Sequence, residues 1–154
     1  RMTNESNQLL REIRNQTDLN GQDKLKTIFK QSIQRPVQED IFQVAPNFRK
    51  NPKLLVSLLE ETVTEAAADY VLPIIRQGME DGSIHAEYPE QLAELIMLTA
   101  NVWLNPMIFD STVEESIRKF MVFRQMALGF GLDIVDDEML ERLKELTAIY
   151  QKSK

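Results

Sequence analysis

A chain of 154 residues, 43% hydrophobic and 27% charged, is long enough for one domain with its own core and too apolar to stay disordered. It has no cysteine, which excludes disulfides and thiolate metal sites and fits a cytoplasmic location. A net charge of −6 argues against wrapping nucleic acid, and no apolar run reaches the roughly 20 residues of a membrane span, so neither DNA nor a membrane is expected as a direct partner.

The charge is uneven: residues 1–50 carry nine Lys/Arg against six Asp/Glu, whereas residues 51–110 carry two against ten. The basic excess of the first third reads as ordinary solvated charge. No secretory leader is read at the start. The opening Arg1-Met2 suggests a fragment of a longer protein.

Only five glycines occur, and the prolines fall mostly at joints, so helices separated by short turns are expected. A first helix from Asn4 to Asn15 sets Leu9, Leu10 and Ile13 on one side and ends before Asn20-Gly21. A second, from about Gln22 to Gln34, aligns Leu25, Ile28, Phe29 and Ile33. Pro36 starts a short third helix with Ile41, Phe42 and Val44, ending before Pro46.

A long helix follows. Leu54/Leu55, Leu58/Leu59, Thr62/Val63, Ala66/Ala67, Tyr70/Val71 and Ile74/Ile75 recur every fourth position and make one wide apolar stripe, with Glu61, Glu65 and Asp69 opposite. Pro73 inside this pattern predicts a kink, and Gly82 a left-handed cap. Tyr88-Pro89-Glu90 opens the next helix, which runs to Phe109 and is apolar nearly all round. Thr112-Val113-Glu114-Glu115 is a capping box for a helix to Phe130, again apolar on more than one stripe. Asp136-Asp137-Glu138 starts a last, amphipathic helix.

A helix that is apolar all round must be covered on both sides. Either the helices Leu92–Phe109 and Val113–Phe130 are both central in one chain, or they pair with the same two helices of a second copy. A domain this size has little room for two fully buried helices, which favours a homodimer.

Catalytic constellations are missing. His85 is the single histidine and has no second ligand nearby, so an exposed or structural role is its ordinary reading. The acidic stripe Glu61, Glu65, Asp69 lacks the Glu-x-x-His pairs of carboxylate metal sites and reads as a solvated face. No phosphate loop, catalytic triad or cysteine nucleophile can be assembled, so neither enzyme activity nor a cofactor is expected. What remains is apolar: Phe29, Phe42, Tyr70, Met97, Trp103 and Met107 fit either core packing or a cavity for an apolar small molecule, with Thr99, Asn101 and Asn105 as polar anchors.

The stretch from Tyr70-Val71-Leu72-Pro73-Ile74-Ile75-Arg76-Gln77-Gly78-Met79-Glu80-Asp81-Gly82 to Ser83-Ile84, followed by Tyr88-Pro89-Glu90-Gln91-Leu92-Ala93-Glu94 and Asn101-Val102-Trp103-Leu104-Asn105-Pro106, resembles the regulatory domain of the tetracycline-repressor (TetR) family of bacterial transcription factors. In outline the resemblance runs from about Gln22 to the end. It implies an all-α helical bundle of about six to seven helices, dimerising through an intersubunit four-helix bundle, with an effector cavity between the middle helices. The family's N-terminal helix-turn-helix has no counterpart before Leu25, so DNA binding is expected of a domain outside this chain. Residues 1–20 then read as a remnant of the connecting helix and 21–154 as the effector-binding and dimerisation domain. The expected cavity residues are Phe42, Tyr70, Ile74, Met97 and Trp103; the expected dimer seam is Phe120, Phe123, Arg124, Ala127 and Leu128. The alternative is a helical protein–protein adaptor with no small-molecule site.

Overall fold

The computed structural model describes residues 4–44 and 48–153, and these are all-helical. Arg1, Met2 and Pro46 lie outside them. Helix α1, Asn4–Asn15, turns Leu10 and Ile13 into the core. Helix α2, Gly21–Gln34, starts where the Asn20 side chain accepts from the Asp23 N–H at 2.8 Å, and it buries Leu25, Ile28 and Phe29. Its end is closed from a distant element: the Arg142 guanidinium donates to the Ile33 carbonyl at 2.8 Å and the Arg35 carbonyl at 3.3 Å. Helix α3, Val37–Val44, follows Pro36.

After a short 3₁₀ turn, Phe48–Lys50, the long helix is made of three continuous parts. Helix α4, Pro52–Glu61, passes into a π-helical stretch, Thr62–Val71, and then into α5, Leu72–Asp81. Glu61 and Leu72, at the two junctions, keep right-handed helical dihedrals, so the helix changes register without breaking. Ten residues before Pro73 form the stretch in which main-chain bonds reach back five positions, and Pro73 itself falls in the first turn of α5. Gly82 closes α5 with φ +85°, the left-handed cap its position implies.

The next expected helix is shorter than its apolar run. Helix α6, Pro89–Leu98, continues as a second π stretch, Thr99–Trp103, and the chain then turns, with the Asn105 side chain accepting from the Met107 N–H at 2.9 Å. Helix α7, Val113–Gly129, opens on the capping box read from the sequence, Thr112 and Glu115 bonding reciprocally. Helix α8, Asp137–Lys152, is capped by the Asp136 carboxylate on the Met139 N–H.

The core gathers the inner faces of α1, α2, the first π stretch, α5, α6 and α7, and is closed below by Leu132, Ile134 and Val135, all buried between α7 and α8. Phe42, Met107 and Leu146 form a smaller cluster joining α3 to α8. Helices α2 and α5 cross backbone to backbone: a Cβ on Gly21 would lie 2.4 Å from Gly78. A polar seam reinforces the crossing. The Asp81 carboxylate accepts from the Gly21 N–H at 2.9 Å, and the Ser83 hydroxyl accepts from the Gln22 N–H at 3.1 Å. No helix of the described residues is long and apolar enough to cross a membrane.

Candidate functional site

One concavity, about 720 Å³, is an open surface groove between α3 and α8 lined by Glu39, Glu138, Glu141, Arg142 and Glu145. Its one cation, Arg142, is engaged by Glu39 at 2.8 Å and Glu145 at 2.9 Å. Nothing there selects a ligand.

The interior offers more. A cavity of about 360 Å³ lies between α2, α3, the second π stretch, α7 and α8. A second space of about 220 Å³ adjoins it toward α1 and the first π stretch. The two share Phe29, Ser32, Ile33, Gln38, Ala100 and Asn101, so they are adjoining spaces, a wider and a narrower lobe, that meet at these residues. The wider lobe is at the lower end of the range of small-molecule pockets. Among the described residues no ionisable side chain lines it and the narrower lobe has one, Arg35, which already interacts with another group.

Both π stretches border this site. Ala66 comes from the first, Ala100 and Asn101 from the second, and the Asn101 amide donates to the Thr62 hydroxyl at 3.5 Å, tying one stretch to the other. Such wide turns recur at functional sites because they re-aim side chains within an otherwise regular helix. The Asn101 Oδ1 atom and the side chains of Ser32 and Gln38 accept or donate no hydrogen bond among the described residues. Polar groups left open at the waist of an apolar space are what a ligand-binding cavity requires.

Of the five expected cavity residues, Phe42 lines the wider lobe and Met97 the narrower. The other three are elsewhere. Ile74 is fully buried and lines neither lobe. Tyr70 lies beneath the Arg14 guanidinium, 5.4 Å from its ring centre. Trp103 is 37% exposed, with the Lys119 ammonium 5.4 Å over its indole. Asn101, Leu104 and Asn105 share the inner face at helical spacing, and Trp103, two positions after Asn101, falls on the outer one. Asn101 and Asn105 line this space, the Asn105 amide already bonded to the Asn101 carbonyl and the Met107 N–H, whereas the Thr99 hydroxyl bonds back to the Leu95 carbonyl. Ser32 and Gln38 escaped the sequence reading. Ser32 had a signal: it lies four residues after Ile28 and three after Phe29, a polar side chain on the apolar stripe of α2.

The expected dimer seam needs correction. Phe120, Phe123 and Ala127 are 4%, 2% and 0% exposed, so they pack within the chain's own core and leave no surface for a second copy. Phe29 and Phe123 meet edge to face at 5.9 Å there. Arg124 is partly buried and pairs with Asp137 at 3.1 Å; Leu128 is exposed. The open apolar residues of these helices are Leu95 and Trp103 on one and Met121, Val122 and Leu128 on the other, with Phe130 just beyond. They run antiparallel: Phe130, past the end of α7, shares a groove with Tyr88 and Leu95 near the start of α6, and Lys119, early in α7, donates to the Trp103 carbonyl at 3.1 Å.

The described residues hold no group of three or more His, Cys, Asp or Glu placed for a metal ion. The chain matches no protein-family model, no curated protein and no solved structure.

Proposed function

We propose that this chain is an effector-sensing, dimerising regulatory domain of the tetracycline-repressor type, binding a small, largely apolar effector and acting on DNA through a helix-turn-helix unit outside these residues. The two-lobed cavity with Asn101 at its waist carries the reading. It supplies an apolar volume, open polar groups and walls drawn from five helices, and a ligand that favours one arrangement of those walls shifts the population toward it.

The assembly part rests on the apolar side chains exposed along α6 and α7. Two copies joined by those faces make an intersubunit four-helix bundle, and a two-fold pair is what positions two DNA-binding units. In this reading the chain has no catalytic role and no cofactor, and works in the cytoplasm.

Native mass measurement followed by denaturation tests it. A dimer that releases a small molecule on denaturation is the expected result. A monomer without any bound molecule, unresponsive in melting temperature to apolar compounds, would favour a helical adaptor instead.

A further inference from the structure

The two lobes differ in chemistry. The wider one has an aromatic wall, Phe29, Phe42, Phe120 and Phe123, with Met107 and Met139 filling in. Phe29 and Phe123 already stand edge to face, and Phe120 and Phe123 are tilted at 6.5 Å, an arrangement that extends naturally to one more ring. The narrower lobe is aliphatic, with Leu9, Leu10, Ile28, Ala66 and Met97. Between them lie the side chains of Ser32, Gln38 and Asn101, supplying both donors and acceptors. The one charged side chain at either lobe among the described residues, Arg35 in the narrower one, already interacts with another group, so a charged group moved into the aromatic lobe loses its hydration with no free opposite charge beside it.

We propose that the cavity takes an uncharged molecule with a ring at one end, an aliphatic chain at the other and an amide- or ester-like group between them. The proposal rests on reading the cavity as a ligand site. The ring enters the aromatic lobe, the chain the aliphatic lobe, and the central group bonds with Asn101 and Ser32. Flexible Met97, Met107 and Met139 adjust the walls to the shape of either end.

Calorimetry on the full chain tests this with four probes: N-butylbenzamide, its two halves benzamide and N-butylacetamide, and 5-phenylpentanoate, which is ionised at neutral pH. One N-butylbenzamide is expected per chain, bound at least tenfold more tightly than either half and tenfold more tightly than the carboxylate. Asn101→Leu, nearly isosteric, is expected to weaken the amide about tenfold while keeping the order of the halves. Ala100→Phe places a ring at the waist and is expected to abolish binding with an unchanged circular-dichroism spectrum; should that variant not fold, Asn101→Leu still decides. The proposal is overturned if the carboxylate binds as well as the amide, if either half binds as well as the whole, if Asn101→Leu changes nothing, or if no probe binds. A monomer in the native mass measurement that still shows this probe order would sink the regulatory reading and leave the ligand class standing.

Discussion

The Arg14 guanidinium donates a hydrogen bond of 3.2 Å to the main-chain carbonyl of Asp69, fifty-five positions further along the chain. Asp69 lies in the π-helical stretch, and helix α1 adds a side-chain donor to its carbonyl from outside. The same arginine covers the Tyr70 ring. Arg14→Leu is therefore expected to lower stability by about 1–2 kcal/mol, a fall of a few degrees in melting temperature. In the Tyr70→Leu background, where the ring is gone, the same change is expected to cost less. Equal losses in the two backgrounds would show that Arg14 acts only through the Asp69 carbonyl.

The Gly21–Gly78 crossing gives a second expectation. A Cβ at Gly21 meets main-chain atoms of Gly78 and the Ile74 carbonyl oxygen, 2.7 Å away, none of which can rotate aside. One at Gly78 meets the flexible Ile84 side chain at 2.6 Å. Gly21→Ala is expected to destabilise by about 3 kcal/mol and Gly78→Ala by less, read as urea midpoints. The reverse order would mean that α2 shifts more easily than the Ile84 side chain.

The exposed and buried sides of α7 separate assembly from folding. Val122→Glu with Leu128→Glu is expected to turn a dimer into a folded monomer, measured by light scattering, with the melting transition still cooperative. Phe123→Ala empties a core position and is expected to cost about 3–5 kcal/mol at any protein concentration. Dimers that survive the double glutamate variant would remove this face as the seam.

Acid should loosen the ends of α2 and α8 together. Asp81 is held below its ordinary 3.8 by hydrogen bonds from the Ser83 hydroxyl and the Gly21 N–H. Burial pushes Asp136 up, but the Met139 N–H and the Lys30 ammonium outweigh it and leave its carboxyl below 3.8. Lys30 likewise holds Glu138 below 4.5. Lowered carboxyl values contribute stability that is complete above the ordinary values and lost as the pH falls through the depressed ones. Lys30 is raised above 10.5, so its share is complete below that value and disappears at still higher pH. Melting temperature is expected to drop below about pH 4, and Asp136→Asn to lower it at neutral pH while flattening the acid limb. An unchanged acid limb in that variant would place the sensitivity at Asp81 instead.

Much of the helix order was legible because its signals are local. The Thr112–Glu115 box, the Gly82 cap and the Pro89 start each depend on a few neighbouring residues, and each stands where the sequence placed it. The π stretches were less legible, although they left a trace. Doublets spaced by four drift about 40° per repeat on an α-helix, so six of them do not share a face. A register reaching five residues back turns less per residue and returns the pattern to one side, keeping Thr62, Ala66, Ala67 and Val71 buried. The cavity residues fared unevenly for the same reason. Met97 and Asn101 follow from apolar spacing and its interruption, whereas Trp103 depends on a local register that hydrophobicity alone does not report. Phe120, Phe123 and Ala127 left the expected seam for another cause: periodicity marks which side chains avoid water, not which copy of the chain covers them.

The ten residues of Thr62–Val71 also make the long helix sensitive to length in an unusual way. Deleting one of them with the wide turns kept would rotate everything downstream by somewhat less than the roughly 100° of an α-helical residue. Gly78 would swing out of the notch beneath Gly21, and Asp81 would lose its amide partner. The number of residues in this stretch, more than their identity, sets the phase at which the two halves of the domain engage.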